Sequence, residues 1–331
     1  MNLKKKTFDI PFIGYDYGKD NKWNFDVLIG QFGNPVIGIQ IKNNVEQYSA
    51  DPEAYLQFHT VLNQVVAIIG ENHIVQKVDI FSKQKYTAEK SNAFLQQKYS
   101  DHFEGRMFKT IDTILLFTDM VDQNTKKTKY NFSEKAYKIL RDKCLKIFML
   151  LSQNECDPKF LKEKDFEHYL SGILSMNFTQ TPSFDNIKAT HEHLIIGDRF
   201  VKTISFVDVE KIELPSEIET YSYLGGNSSA SETAVDNFSF INELDDYKTI
   251  VYNQIISIPH QASKQRELEK KKKKHEGVAN NSPSNAIVAE EIEELLHHIA
   301  LDGQLIVDAH FSISYSTDTL DKLEETQSLI E

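Results

Sequence analysis

Leu305, Val307, Ala309, Phe311, Ile313 and Tyr315 alternate with their neighbours without a slip, the two-residue period of a strand with one face buried. The same period marks Phe25, Val27 and Ile29 and, after the Gly33-Asn34-Pro35 break, Ile37, Ile39 and Ile41, so a hairpin is predicted there. A helical period follows Asp51-Pro52-Glu53, which supplies an N-cap and a proline at the first helical position. Tyr55, Phe58, Leu62, Val65, Val66 and Ile69 then share one face, and Gly70 ends the run. Ile74 to Phe81 reads as a strand, Ala88 to Phe103 as a helix, and Thr110 to Thr118 as a strongly apolar strand. This β-β-α-β-α-β order predicts a mainly antiparallel or mixed sheet with helices on one face.

Ser133 opens a helix whose apolar positions are Ala136, Ile139, Leu140, Cys144, Ile147, Phe148 and Leu151. A second helix follows Pro158, with Phe160, Leu161, Phe166, Tyr169, Leu170 and Ile173, and the pair is expected to pack on the first sheet. From His191 to Pro215, β-formers run into Gly197-Asp198 and out again with Phe200, Ile204 and Phe206 alternating. That is a tight strand-turn-strand unit. Tyr221 to Asn237 is rich in Gly, Ser and small polar residues and reads as a flexible linker or exposed loop.

A strand from Lys248 to Ile258 is bounded by Pro259 and followed by a charged helix carrying Lys270, Lys271, Lys272, Lys273 and Lys274. The next helix places Val288, Ile292, Leu295, Leu296 and Ile299 on one face, and Asp318 is expected to cap a last helix with Leu320, Leu323 and Leu329. The predicted class is therefore α+β, with a domain over 1–220, a linker over 221–240 and a module over 241–331. That module has the order β-α-α-β-α, an incomplete ferredoxin-like unit with a charged helical arm at about 260–302.

Composition narrows the classes. With 331 residues, 40% hydrophobic and 26% charged, the chain can bury a sizeable core and is not of the disordered class. A formal charge of −12 disfavours wrapping nucleic acid over the whole surface and leaves only local contacts. Cys144 and Cys156 are the only cysteines and no signal-sequence pattern opens the chain, which points to a reducing, cytoplasmic compartment without disulfides. Cys144 falls on an apolar helix face and reads as a small core residue. No apolar stretch is long and charge-free enough to span a bilayer, and Lys4, Lys5 and Lys6 read as a basic terminus.

Catalytic patterns are missing. No segment supplies the G-x-x-x-x-G-K-[ST] phosphate loop; Gly18-Lys19-Asp20 comes nearest but has Asp where the hydroxyl belongs. The dinucleotide glycine fingerprint and the G-x-S-x-G elbow are absent too. His191 with His193, His297 with His298, and His310 lack the further ligands a zinc-like site needs. No catalytic, cofactor-binding or metal residue is assigned. Lys270 to Lys274 could meet phosphates, but a solvated helical arm is the favoured reading.

Several stretches share a likeness. FDIPFIGYDYG with its hairpin, HFEGRMF and TILLFT, HLIIGDRFVKTISFVDVEKIELP, and YNQIISI with its charged arm and VDAHFSISYS resemble the N-terminal region of TraG-type conjugation ATPases. These are the energising ATPases of type IV secretion in Bacteroidetes conjugative transposons, and the likeness covers nearly the whole chain. Gly197, Asp198 and Phe200 are its most family-like residues. The resemblance implies a non-catalytic docking and assembly domain preceding a RecA-like motor domain, where ATP and magnesium would bind and which this sequence stops short of. It implies inner-membrane secretion components and the chain's own ATPase domain as partners, a cytoplasmic place peripheral to the inner membrane, and leaves a homo-oligomer open. The other reading is a self-contained cytoplasmic α+β enzyme or regulator whose site has no sequence pattern.

Overall fold

The computed structural model describes residues 12–15, 24–30, 32–42, 52–88, 92–120, 133–178, 186–205, 220–223, 231–234, 241, 244–277 and 283–330. The N-terminal elements are β1 (Phe12–Tyr15), β2 (Phe25–Ile29), β3 (Pro35–Ile41), α1 (Pro52–Ile69), β4 (His73–Lys85), α2 (Phe94–Phe103) and β5 (Met107–Asp119). Next come α3 (Glu134–Gln153), β6 (Lys159–Phe160), α4 (Glu163–Ser175), β7 (Ile187–Ala189), β8 (Leu194–Ile196) and β9 (Arg199–Ser205). The rest are β10 (Thr220–Tyr223), β11 (Ser231–Ala234), β12 (Thr249–Ile258), α5 (Gln261–Glu276), α6 (Pro283–Asp302), β13 (Asp308–Thr317) and α7 (Leu320–Ile330).

The fold is α+β, built on one sheet in the order β1-β2-β3-β5-β4-β12-β13-β9-β8-β7, with every neighbouring pair antiparallel. The strand, helix, helix, strand, helix order of the last section is present. Its two strands lie in the middle of the sheet, β12 bonded to β4 and β13 to β9. Within the segment predicted as a linker, β10 and β11 pair from Thr220↔Ala234 to Tyr223↔Ser231, as the β-formers Thr220, Tyr221, Tyr223 and Thr233 favour. Residues 224–230, 235–240 and the stretch Phe206 to Pro215 lie outside the described residues, as does the expected N-cap Asp51.

Helices cover both faces, not the single face expected. On one, α1 (Phe58, Val61, Val65, Ile69) and α3 (Tyr137, Leu140, Cys144, Ile147, Leu151) bury Phe25, Ile37, Ile39, Leu115 and Phe117. On the other, Leu161 and α4 (Phe166, Tyr169) bury Val78, Ile80, Ile114, Leu116 and Val251. The chain reaches the second face through β6, which pairs with β3 where β2 peels away. Phe160 is therefore not helical, as its spacing suggested. Its ring lies between Phe25 at 4.4 Å and Phe148 at 4.5 Å on the first face, while the next residue, Leu161, enters the second. The Asp26 carboxylate then accepts the first free amide of α4, Glu163 N–H, at 2.7 Å. Gly38 permits this crossing: a Cβ there would lie 2.5 Å from Leu161 Cδ1 and 3.1 Å from Phe166 Cζ.

Other boundaries moved for local reasons. The helix expected from Ala88 begins at Phe94. The last helix is capped by Thr319, whose Oγ1 accepts from Lys322 N–H at 3.4 Å, not by Asp318. Leu323 of α7 is buried, whereas Leu329 is exposed, and Leu305 and Val307 precede β13 at the surface. Ser133 caps α3 as predicted, its Oγ accepting from Ala136 N–H.

The first face carries a second apolar cluster, Phe81, Ile250, Tyr252, Ile313 and Tyr315 under Leu323. Between the two clusters runs a polar row. Asp79, only 4% exposed, accepts from Thr113 Oγ1–H at 2.6 Å and pairs with Lys77. Asp79 stands in register with Thr113 on one side and Tyr252 on the other. Removing one member of a buried, hydrogen-bonded ion pair leaves the other without compensation. Asp79→Ala is expected to lower unfolding free energy by about 3 kcal/mol in urea titration at unchanged slope. A loss under about 1 kcal/mol would show that the pair is solvated.

Candidate docking surfaces

The Gly197-Asp198 turn joins β8 to β9 as a two-residue loop closed by Ile196↔Arg199. Gly197 has φ 60°, the positive value that the first central position of a type II′ turn requires. Asp198 reaches Lys248 at 3.4 Å, on the loop leading into β12. The neighbouring Arg199 donates to Met176 O and, at 3.4 Å, to Thr249 Oγ1, and burial pulls its guanidinium below the ordinary value. Phe200 is half-buried against the second cluster of the first face, with His193 5.7 Å from its ring. Gly197 and Asp198 thus form the turn itself, and Phe200 follows in β9 with its ring toward the second cluster of the first face.

The histidines do not converge. His191 sits in a bend before β8, so it and His193 do not share a strand face. His297 and His298 are exposed neighbours on α6 with rings 6.5 Å apart, and His310 is exposed on β13. Among the described residues no three His, Cys, Asp or Glu side chains gather as a metal-ion site. No helix among them is long and apolar enough to cross a membrane.

Two surfaces do carry uncommitted chemistry. The first is the connection between β4 and β5, which α2 occupies. Tyr86 N–H donates to Arg106 O and Gly105 N–H to Tyr86 O, fixing the loop's base. Ser100 is the one buried residue of α2, and its Oγ accepts from Tyr86 O–H at 3.2 Å. Phe94 and Leu95 are 72% and 81% exposed, with Tyr99, Met107 and Phe108 also at the surface. The rings of Tyr86, Tyr99, Phe103 and Phe108 form a chain with centroids 4.7 to 6.5 Å apart. Arg106 lies over Phe103 at 5.2 Å and Lys98 over Phe94 at 5.9 Å. An apolar, aromatic patch with cationic groups beside it is the composition of an interface core. Sequence periodicity missed it because FLQQKYSDHF shows no continuous apolar face.

The second surface is the helical arm, α5 and α6 packed on each other between β12 and β13. Its base is clamped. Gln261 Nε2–H donates to Ile306 O at 3.0 Å, Ile306 N–H returns a bond to Gln261 Oε1 at 2.8 Å, and Glu71 accepts Gln261 N–H at 2.9 Å. The lysine run divides along the helix. Lys272 turns inward to Glu293 at 3.1 Å and Glu276 at 3.5 Å, and Lys271 stands 3.9 Å from Glu267. Lys270, Lys273 and Lys274 face outward.

Cys144 and Cys156 are both fully buried in the first-face core. Burial pushes the Cys144 thiol well above its ordinary range and raises that of Cys156, so neither supplies thiolate near neutral pH.

Gly197→Val should lower stability by about 1–3 kcal/mol in chemical denaturation, because a β-branched residue is strained at positive φ. Unchanged stability with loss of a binding partner would make the turn a contact site instead. A thiol reagent at neutral pH should modify neither cysteine in the native protein and both after unfolding. Rapid native labelling of Cys144 would contradict its burial.

Neither a protein-family model nor a curated protein matches this chain.

Proposed function

We propose that this chain is a non-catalytic docking and assembly module, the role implied by its resemblance to the N-terminal region of TraG-type conjugation ATPases. In this reading it holds a secretion motor to the inner-membrane components of a type IV secretion channel from the cytoplasmic side. ATP and magnesium belong to the motor domain of that family. The observation that carries the proposal is the α2 tip: Phe94, Leu95 and Tyr99 stand exposed on a helix that buries only Ser100. A cluster of exposed apolar side chains on one protrusion is costly to leave in water and suits a protein partner.

The test uses purified inner-membrane channel components and the full chain. Phe94→Ser, Leu95→Ser and Tyr99→Ser combined should weaken capture by tenfold or more, with melting temperature unchanged because these side chains pack on little. Undiminished capture by the triple variant would remove α2 as the docking element. The wild-type chain should show no ATP turnover above background, and robust turnover would overturn the non-catalytic reading.

A further inference from the structure

The arm carries opposite charges on its two outer faces. α5 holds seven Lys or Arg residues against three Glu, whereas α6 holds four Glu and Asp302 with no Lys or Arg. At helical spacing Arg266, Lys270, Lys273 and Lys274 fall on the side of α5 turned from α6, and all are exposed. Ile287, Glu290, Glu294 and Leu301 fall on the side of α6 turned from α5, and all are exposed. Among the described residues these six charged groups form no ion pair.

We infer that the arm docks on a second copy of this chain, the cationic outer face of α5 lying along the acidic outer face of the neighbour's α6. Within one arm the same two helices already bring such charges to pairing distance, Lys272 to Glu293 at 3.1 Å. Because α5 and α6 run antiparallel, copies with parallel arms set α5 beside the neighbour's α6 in that same relative direction. A polyanion would use the lysines but leave Glu290, Glu294, Ile287 and Leu301 without a role, and it must approach a chain of net charge −12. A second copy uses both faces. The contact is heterologous, so it closes into a ring or extends, according to the rotation between copies. Two arms side by side bury less than the roughly 1,600 Å² of a standard interface, so the association is weak and salt-sensitive. It does not depend on the α2 docking role.

Sedimentation velocity on the nuclease-treated full chain at about 0.05 M and about 0.5 M salt tests this. The wild type should form larger species with rising concentration at low salt and revert to monomer at high salt. Lys270→Glu, Lys273→Glu and Lys274→Glu combined, or Glu290→Lys and Glu294→Lys combined, should each weaken assembly at least about tenfold while the melting curve holds. Mixing the two variants should restore assembly, since one then has two acidic faces and the other two basic ones. A wild type that stays monomeric at low salt, assembly indifferent to either reversal, or a mixture that stays monomeric would each overturn the inference.

Discussion

β4 is hydrogen-bonded along both edges, to β5 from His73↔Asp119 to Lys85↔Met107 and to β12 from His73↔Ile258 to Ser82↔Thr249. This double ladder is the constraint on which the rest depends. β1, β2 and β3 join the sheet through β5; β13, β9, β8 and β7 join it through β12. The partners are far apart in sequence, so the sheet forms only when residues 73–119 and 249–317 come together, and its loop-closure cost is met by burial on both faces.

Double-sided burial explains the polar contacts in the interior. Side chains that a one-sided sheet would leave in water must find partners, and Asp79 does so with Thr113 and Lys77. Near the start of β4, buried His73 donates its Nδ1–H to Glu71 O at 2.8 Å, and its Nε2 approaches Asp119 at 3.3 Å. Lys143 of α3 donates to Ile69 O at the end of α1, and burial lowers its ammonium below the ordinary value. Glu71 also accepts the first amide of α5. One polar network thereby joins the end of α1, α3, the start of β4 and the base of the arm, while the arm's distal charges stay in water.

Much of this was legible as periodicity. The hairpin at Phe25 to Ile41, the long helices at Pro52 and Ser133, and the strand at Thr249 each have one strongly patterned apolar set, and each formed where expected, whereas the strand expected from Leu305 begins at Asp308 and buries only its later apolar positions. The strand from Ile74 to Phe81 was legible, but not that both its faces are covered, so the burial of Asp79 beside Lys77 had no sequence signal: period two separates the faces without saying what covers either. Phe160 and Leu161 fit a helical period, yet they straddle the sheet edge, a feature only the β3 pairing reveals. The α2 patch was invisible for the opposite reason: its apolar residues come from a short helix and from Met107 and Phe108 on β5, which periodicity treats separately. The charged arm was legible, but the division of its lysines into inward and outward sets required the packing of α6.

The double ladder of β4 carries two protruding surfaces that contribute little to its stability. Native-state hydrogen exchange on the full chain, resolved by peptide, tests that division most directly. Amides of β4, β5 and β12 should exchange only through global unfolding, while those of α2 and of the distal halves of α5 and α6 should exchange through local opening, orders of magnitude faster. Protection of α2 and the arm equal to that of the central strands, in the monomeric chain, would contradict it.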